Sequence, residues 1–107
     1  MLVRVRTELG ESLLGGLTPG KTYPVVGIEA DEYRLVNDKK DPVLYPPDLF
    51  EVLDEQEPHC WIHSVGSEGE RYAYPPELNT PGFFEDYHDG VHTAVSEFRR
   101  YMESLGG

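Results

Sequence analysis

Along most of the chain apolar and polar residues alternate with a period near two. Over the last part the period lengthens to that of a helix. Leu2, Val3 and Val5 interleave with Arg4 and Arg6, which predicts a first or edge strand. Residues 8–23 (ELGESLLGGLTPGKTY) are rich in turn formers, and Thr18-Pro19-Gly20-Lys21 places Pro then Gly at its centre, as a type II turn prefers. A β-branched run, YPVVGIE at 23–29, predicts the next strand, and Ala30-Asp31-Glu32 turns the chain back. Residues 33–36 (YRLV) then pair with 42–45 (PVLY) across a polar loop at 37–41. A short strand or extended segment follows in LFEVLD at 49–54, where Phe50 and Val52 alternate with Glu51. After a polar connector at 54–59, a second hairpin joins 60–65 (CWIHSV) to 70–74 (ERYAY) through Gly66-Ser67-Glu68-Gly69, whose glycines supply the positive φ of a tight turn.

From Phe84 onward the apolar residues are Phe84, Tyr87, Val91, Ala94, Val95, Phe98, Tyr101, Met102 and Leu105, a helical stripe that Gly90 interrupts. The pattern predicts a short helical turn over 83–87 and a main amphipathic helix over about 91–105, with Asp89 as its N-cap. Arg99 and Arg100 lie toward its C-terminal end, where positive charge suits the helix dipole. Strands first and helix last make an α+β fold, a small antiparallel sheet or barrel with one C-terminal helix packed across it. A chain of 107 residues is expected to be a single domain. Within it, 1–57 form the main β part, 58–80 the second hairpin and 81–107 the helical segment.

The pentad Tyr-Pro-Pro-acid-Leu occurs twice, as YPPDL at 45–49 and YPPEL at 74–78, and each copy ends a predicted hairpin. One reading is a ligand for aromatic-grooved adaptor domains. Such ligands sit in disordered proline-rich tracts, whereas each copy here abuts a strand. The other reading is a strand stop. Proline lacks the N–H that a sheet ladder needs and pushes the residue before it toward extended geometry. Tyr45 and Tyr74 then end their strands, the second proline opens a short helical turn with the acid at its positive end, and Leu49 and Leu78 point inward.

Charge changes the picture more than composition does. Nine Lys and Arg against twenty Asp and Glu give a net charge of −11. Such a surface repels nucleic-acid phosphates and anionic lipid and attracts basic partners; it also serves solubility alone. No nucleic acid or membrane is therefore expected as a partner, and no cofactor is expected either. Cys60 is the single cysteine, which excludes an intrachain disulfide and fits a reducing compartment. The opening MLVRVRTELG has no long apolar region and no run of about 18 apolar residues follows, so the expectation is a soluble, cytoplasmic protein.

No residue constellation names a reaction. His88 and His92 are four apart, a spacing that can bind zinc on a continuous helix, but HDGVH lacks the glutamate of a zincin and Gly90 falls between them. His59, Cys60 and His63 offer a second cluster without a further cysteine pair. Cys60 beside a histidine suggests a nucleophile, yet a cysteine ahead of Trp61 and Ile62 in a strand reads as small core filler. GGLTPGKT at 15–22 satisfies the phosphate-loop spacing, but Tyr23-Pro24 and a β-branched run follow where a helix must begin. No catalytic or metal-binding residue is assigned.

The acids are distributed unevenly. Asp48, Glu51, Asp54, Glu55 and Glu57 fall within ten residues with no base among them, and Glu77, Glu85, Asp86 and Asp89 form a second, looser stretch with few bases. Aromatic residues flank both. Aromatic anchors inside a negative rim suit the capture of a basic partner, which gives Tyr45, Asp48, Glu51, Asp54, Glu55, Glu57, Trp61, Tyr74, Glu77, Phe83, Glu85 and Asp86 as candidate partner-binding residues. The same pattern also describes solvated loops over a buried aromatic core.

The stretch LTPGKTYPVVGIEADEYRLVNDKKDPVLYPPDLFEVLD, at 17–54, resembles a compact SH3-like β-barrel, through Leu-x-x-Gly-Lys-x-Tyr-x-Val, a hairpin, and the Leu-Tyr and Phe-Glu-Val strands. The tail, with PGFFEDY at 81–87 and a final amphipathic helix, is similar to small acidic bacterial immunity proteins of polymorphic toxin systems. The first resemblance implies a fold that hosts many functions. The second implies a non-catalytic antitoxin that binds a secreted toxin domain with a basic surface and occludes its active site. The alternative is a general SH3-like interaction module or regulatory subunit with a basic partner.

Overall fold

The computed structural model describes residues 1–8 and 15–106. Its strands are β1 (Leu2–Val5), β2 (Thr22–Glu29), β3 (Glu32–Val36), β4 (Pro42–Tyr45), β5 (Phe50–Asp54), β6 (Ile62–Val65) and β7 (Arg71–Tyr74). Two helices follow, α1 (Phe83–His88) and α2 (His92–Gly106). The fold is α+β, strands first, with every strand pairing antiparallel. Residues 9–14 of the turn-rich stretch lie outside the described residues. The expected turn at 18–21 is present, with Lys21 N donating to Thr18 O at 3.1 Å and Gly20 at φ +80°.

β2 organises the sheet. β3 pairs along it, with Ile28 opposite Tyr33. β1 pairs with its first residues, Val3 opposite Tyr23, and β7 with its last, Ile28 opposite Ala73. β4 extends the sheet beyond β3, β6 beyond β7 and β5 beyond β1. The two predicted hairpins, β3–β4 and β6–β7, therefore flank one strand in one sheet. The β3–β4 register, Tyr33 opposite Tyr45 and Leu35 opposite Val43, is the one that the polar loop at 37–41 implies.

The sheet is open and does not close into a barrel. Among the described residues β4 and β5 end the strand path, each with a single neighbour. The repeated pentad supplies the reason. Pro46 and Pro47 cannot continue a ladder, and a single 3-10 turn at Pro47–Leu49 redirects the chain so that β5 pairs with β1. The second copy does the same at Pro76–Leu78. In each copy the leucine N–H closes on the first proline's carbonyl, Leu49 to Pro46 at 3.2 Å and Leu78 to Pro75 at 2.9 Å. Leu78 is fully buried, and Leu49 packs partly against the sheet core.

Apolar side chains collect in two clusters. One lies within the sheet around Val3, Val5, Ile28, Leu35, Phe50 and Trp61. The other joins the sheet to the helices through Tyr74, Leu78, Phe83, Phe84, Ala94, Phe98 and Tyr101. Gly27 is required where these meet, because a Cβ there would run into the Tyr74 ring. A register shift between Val25 and Gly27 accompanies it.

The helical segment is two helices. α1 ends at Gly90, φ +77°, with Val91 N donating to Asp86 O at 2.9 Å and Gly90 N to Tyr87 O at 3.0 Å. That is a Schellman closure, which only a left-handed residue permits. Asp89 is therefore the C-cap of α1 and not the N-cap of α2; Val95 N donates to Val91 O, so α2 is opened by Val91. Among the described residues no helix is long and apolar enough to cross a membrane.

Candidate partner-binding face

The site is built from the ends of β2, β3 and β7. Arg34 stands opposite Gly27 in the β2–β3 register, and the space left by that glycine holds the Tyr74 ring. Arg34 Nε donates to Tyr74 OH at 2.8 Å, Nη1 to Pro42 O at 3.0 Å and Nη2 to Glu29 Oε1 at 3.2 Å. The Tyr74 hydroxyl donates onward to Glu29 Oε1 at 2.9 Å. Burial pushes the Tyr74 hydroxyl well above the ordinary tyrosine range, with Arg34 opposing less strongly, so the group remains a donor. The guanidinium carbon lies 3.9 Å from the centroid of the Phe84 ring. A cation on an aromatic face, desolvated, contributes about 2 kcal/mol. Arg34 thus ties α1 to the sheet through Phe84.

α1, so anchored, separates two depressions. The larger, about 680 Å³, has Arg34, Tyr74 and Phe84 in its lining and Glu29, Tyr72, Glu85, His88 and Asp89 around them. The smaller, about 330 Å³, is lined by Glu77, Asp86 and Glu97 with Thr80, Phe83, Thr93 and Ala94. Phe83 and Thr80 line both. Glu29 is neutralised by Arg34 at 3.2 Å and Glu97 pairs with Arg100 at 3.1 Å. Glu77, Glu85, Asp86 and Asp89 make no ion pair among the described residues. Among the described lining residues of the larger depression the arginine, Arg34, is already paired with Glu29, so the outward field is that of the acids. Chemically this arrangement can hold cationic side chains in two acid-lined recesses beside α1.

Of the sequence-derived residues, Tyr74, Glu77, Phe83, Glu85 and Asp86 come together here. Tyr74 and Phe83 are buried, so they support the face rather than contribute contact area. The first acidic stretch lines neither depression. Asp48 is exposed in the first 3-10 turn, with its carbonyl accepting from Arg6 Nε at 3.2 Å. Glu51 is bound by Arg4 at 3.0 Å on the neighbouring β1. Asp54 caps the Gln56 N–H at 2.9 Å, and Glu55 is exposed. Glu57 meets Arg71 at 3.0 Å and His63 at 3.6 Å. Two of these five carboxylates are therefore neutralised from within. Tyr45 is buried, accepting from Asn37 Nδ2 at 3.2 Å and donating to Gly15 O at 2.6 Å. Trp61 is buried in the sheet core, and its Nε1 lacks a hydrogen-bond partner among the described residues.

Sequence reasoning missed Glu29, Arg34 and Tyr72. An arginine between Tyr33 and Leu35 reads as a solvent-facing position, and its aromatic partners lie far along the chain, so no local signal marks it. Cys60 corrects another expectation: it is exposed in a turn, and Trp61 takes the core position. His88 and His92 fall on different helices because Gly90 breaks the chain between them. Among the described residues no three His, Cys, Asp or Glu side chains gather as metal ligands. The phosphate-loop spacing at 15–22 runs directly into β2, with no helix to receive a phosphate. Comparison with protein-family models, with curated proteins and with solved structures finds no match.

Proposed function

We propose that this chain is a cytoplasmic, non-catalytic immunity protein that captures a basic toxin domain on the α1 face and occludes its active site. The observation that carries the reading is the cluster of carboxylates without an ion pair among the described residues, Glu77, Glu85, Asp86 and Asp89, on and beside a helix that Arg34 and Phe84 hold against the sheet. A net charge of −11 supports it, because acids in excess accelerate encounter with a cationic surface. A pre-anchored helix supports it as well, since less ordering is required on binding. The likeness of the tail to immunity proteins supplies the biological setting.

A second reading has its own observation. All four residues of β6 are exposed, Val65 at 70%, and among the described residues β6 has β7 as its single sheet neighbour. Such an edge suits an interaction module that takes a partner peptide by strand addition. Co-expression separates the two. If an adjacent gene encodes a secreted protein whose C-terminal domain is lethal alone, this chain should abolish the lethality. A lethal domain that the chain fails to neutralise, or no such neighbour, removes the immunity reading and leaves the module.

A further inference from the structure

The first acidic stretch takes no part in the α1 face, yet it surrounds a free strand edge. β5 has β1 as its single sheet neighbour among the described residues. Val5 N donates to Lys21 O at 3.0 Å and Val5 O accepts from Gly20 N at 2.8 Å, both toward the start of β2. Backbone groups alternate in direction along a strand, and Arg6 N donates the other way, to Leu49 O at 3.0 Å. Leu49 and Glu51 therefore turn their backbone groups to β1, and Phe50 and Val52 turn theirs outward. The Phe50 N–H closes the 3-10 turn on Pro47 O. Phe50 O and the Val52 N–H are left facing the open edge.

Two apolar side chains stand on this edge. The register passes from Val3 opposite Val52 to Leu2 opposite Asp54, which leaves Leu53 as the extra residue of a bulge. Val52 is 45% exposed and Leu53 44%. An open edge with exposed apolar residues is a template for a further strand. Charge selects which strand. Residues 41–70 contain no Lys or Arg. Asp48, Asp54 and Glu55 are exposed and make no ion pair among the described residues, and Arg4 on the neighbouring β1 is taken by Glu51. A second copy's β5 would bring the same acids against these, and like charges opposite one another destabilise a strand pair. A purely apolar strand would fill the ladder and leave the carboxylates unmatched. An extended segment that alternates basic and apolar residues meets both demands. Its side chains point to the two faces in turn, apolar ones beside Val52 and basic ones beside Glu51.

We infer that the β5 edge takes an extended basic and apolar segment of a partner by strand addition. The edge shares no residue with the lining of either acid-lined depression. The inference stands independently of the proposed function.

A blocked hexapeptide of alternating lysine and valine, titrated into the isotope-labelled full chain and followed by nuclear magnetic resonance, tests it. The Val52 amide should shift, and its hydrogen exchange should slow about tenfold or more at saturation. Binding should weaken as salt rises. Asp54→Asn with Glu55→Gln removes both charges while Asn keeps an acceptor for the Gln56 N–H, and should weaken binding about three- to tenfold. The same peptide with every backbone amide N-methylated, and a glutamate-valine counterpart, should leave Val52 unmoved. Equal binding by either, or a variant as tight as the wild type, would overturn the inference. So would a lysine-valine peptide that shifts Glu85 and Asp86 but not Val52, which would assign it to the α1 face. A Val52 shift that follows protein concentration alone would give the edge to a second copy and equally overturn it. A Val52 amide that no peptide moves would do the same without touching the proposed function.

Discussion

Replacing Arg34 with methionine tests how α1 is held. The substitution keeps an unbranched apolar side chain at the position and removes the guanidinium that lies over Phe84. Tyr74, Pro42 O and Glu29 each lose a donor, while the Tyr74 to Glu29 bond at 2.9 Å can persist. Breaking a fully buried charge pair from one side costs about 3–5 kcal/mol. Here the Arg34 side chain is 7% exposed but that of Glu29 is 38% exposed, so water can take up the abandoned carboxylate. The expected loss is about 2–3 kcal/mol, which for a domain of this size lowers Tm by about 10–20 °C. Urea unfolding should show a lower midpoint at an unchanged slope. Hydrogen exchange should quicken in α1 more than in β1, because Phe84 loses the cation beneath it. A loss under about 1 kcal/mol, or equal exchange in the two elements, would show that the helix is fixed by apolar packing alone.

Two further perturbations probe the scaffold. Asp38 accepts from Thr18 Oγ1 at 2.6 Å, Lys21 Nζ at 2.8 Å and Tyr23 OH at 2.8 Å, and these bonds, Lys21 first, lower its pKa from 3.8 to about 2. The folded pKa lies below the unfolded one, so the unfolded chain binds more protons as pH falls. The stabilisation is complete above about pH 4 and disappears toward pH 2. Asp38→Asn should remove this component, and acid titrations that superimpose on the wild type would contradict the assignment. Gly27→Ala places a methyl group into the Tyr74 ring; thermal denaturation should report a loss of about 1–3 kcal/mol, as overpacking does, and a neutral result would mean that the ring moves freely.

Much of the fold was legible because its signals are local. Alternation in 23–29, the polar loop at 37–41 and the glycines of 66–69 fix β2 and both hairpins without long-range information. The prolines of the repeated pentad act within a few residues, so their role as strand stops could be read directly. Closure of the sheet could not be read, since whether β5 joins β1 alone or also β4 depends on the path through the 3-10 turn. The start of α2 was misread for a related reason: Asp89 is a good N-cap by type, but the left-handed Gly90 makes it the end of α1.

The candidate site divides in the same way. Acid density in sequence could not separate carboxylates that face solvent from those held by an arginine across the sheet. Glu51 meets Arg4 and Glu57 meets Arg71 only once β1, β5 and β7 are placed. The second stretch needed no such information, because α1 itself carries Glu85 and Asp86. Aromatic residues flanking the acids were read as anchors, yet Tyr45, Trp61, Tyr74 and Phe83 are more useful to the core.

The central claim is that the α1 face, rather than acidity in general, meets a basic partner. Two triple variants of equal charge decide it. Glu77→Lys with Glu85→Lys and Asp86→Lys takes the chain from −11 to −5, and so does the same reversal at Asp48, Asp54 and Glu55, each substitution adding two charges. With the lethal domain that co-expression would identify under the proposed function, stopped-flow association should be fast at low salt for the wild type and slow as salt rises. The α1-face variant should lose about tenfold or more in association rate, and the control variant much less. Equal losses in the two variants, or a greater loss in the control, would contradict the account.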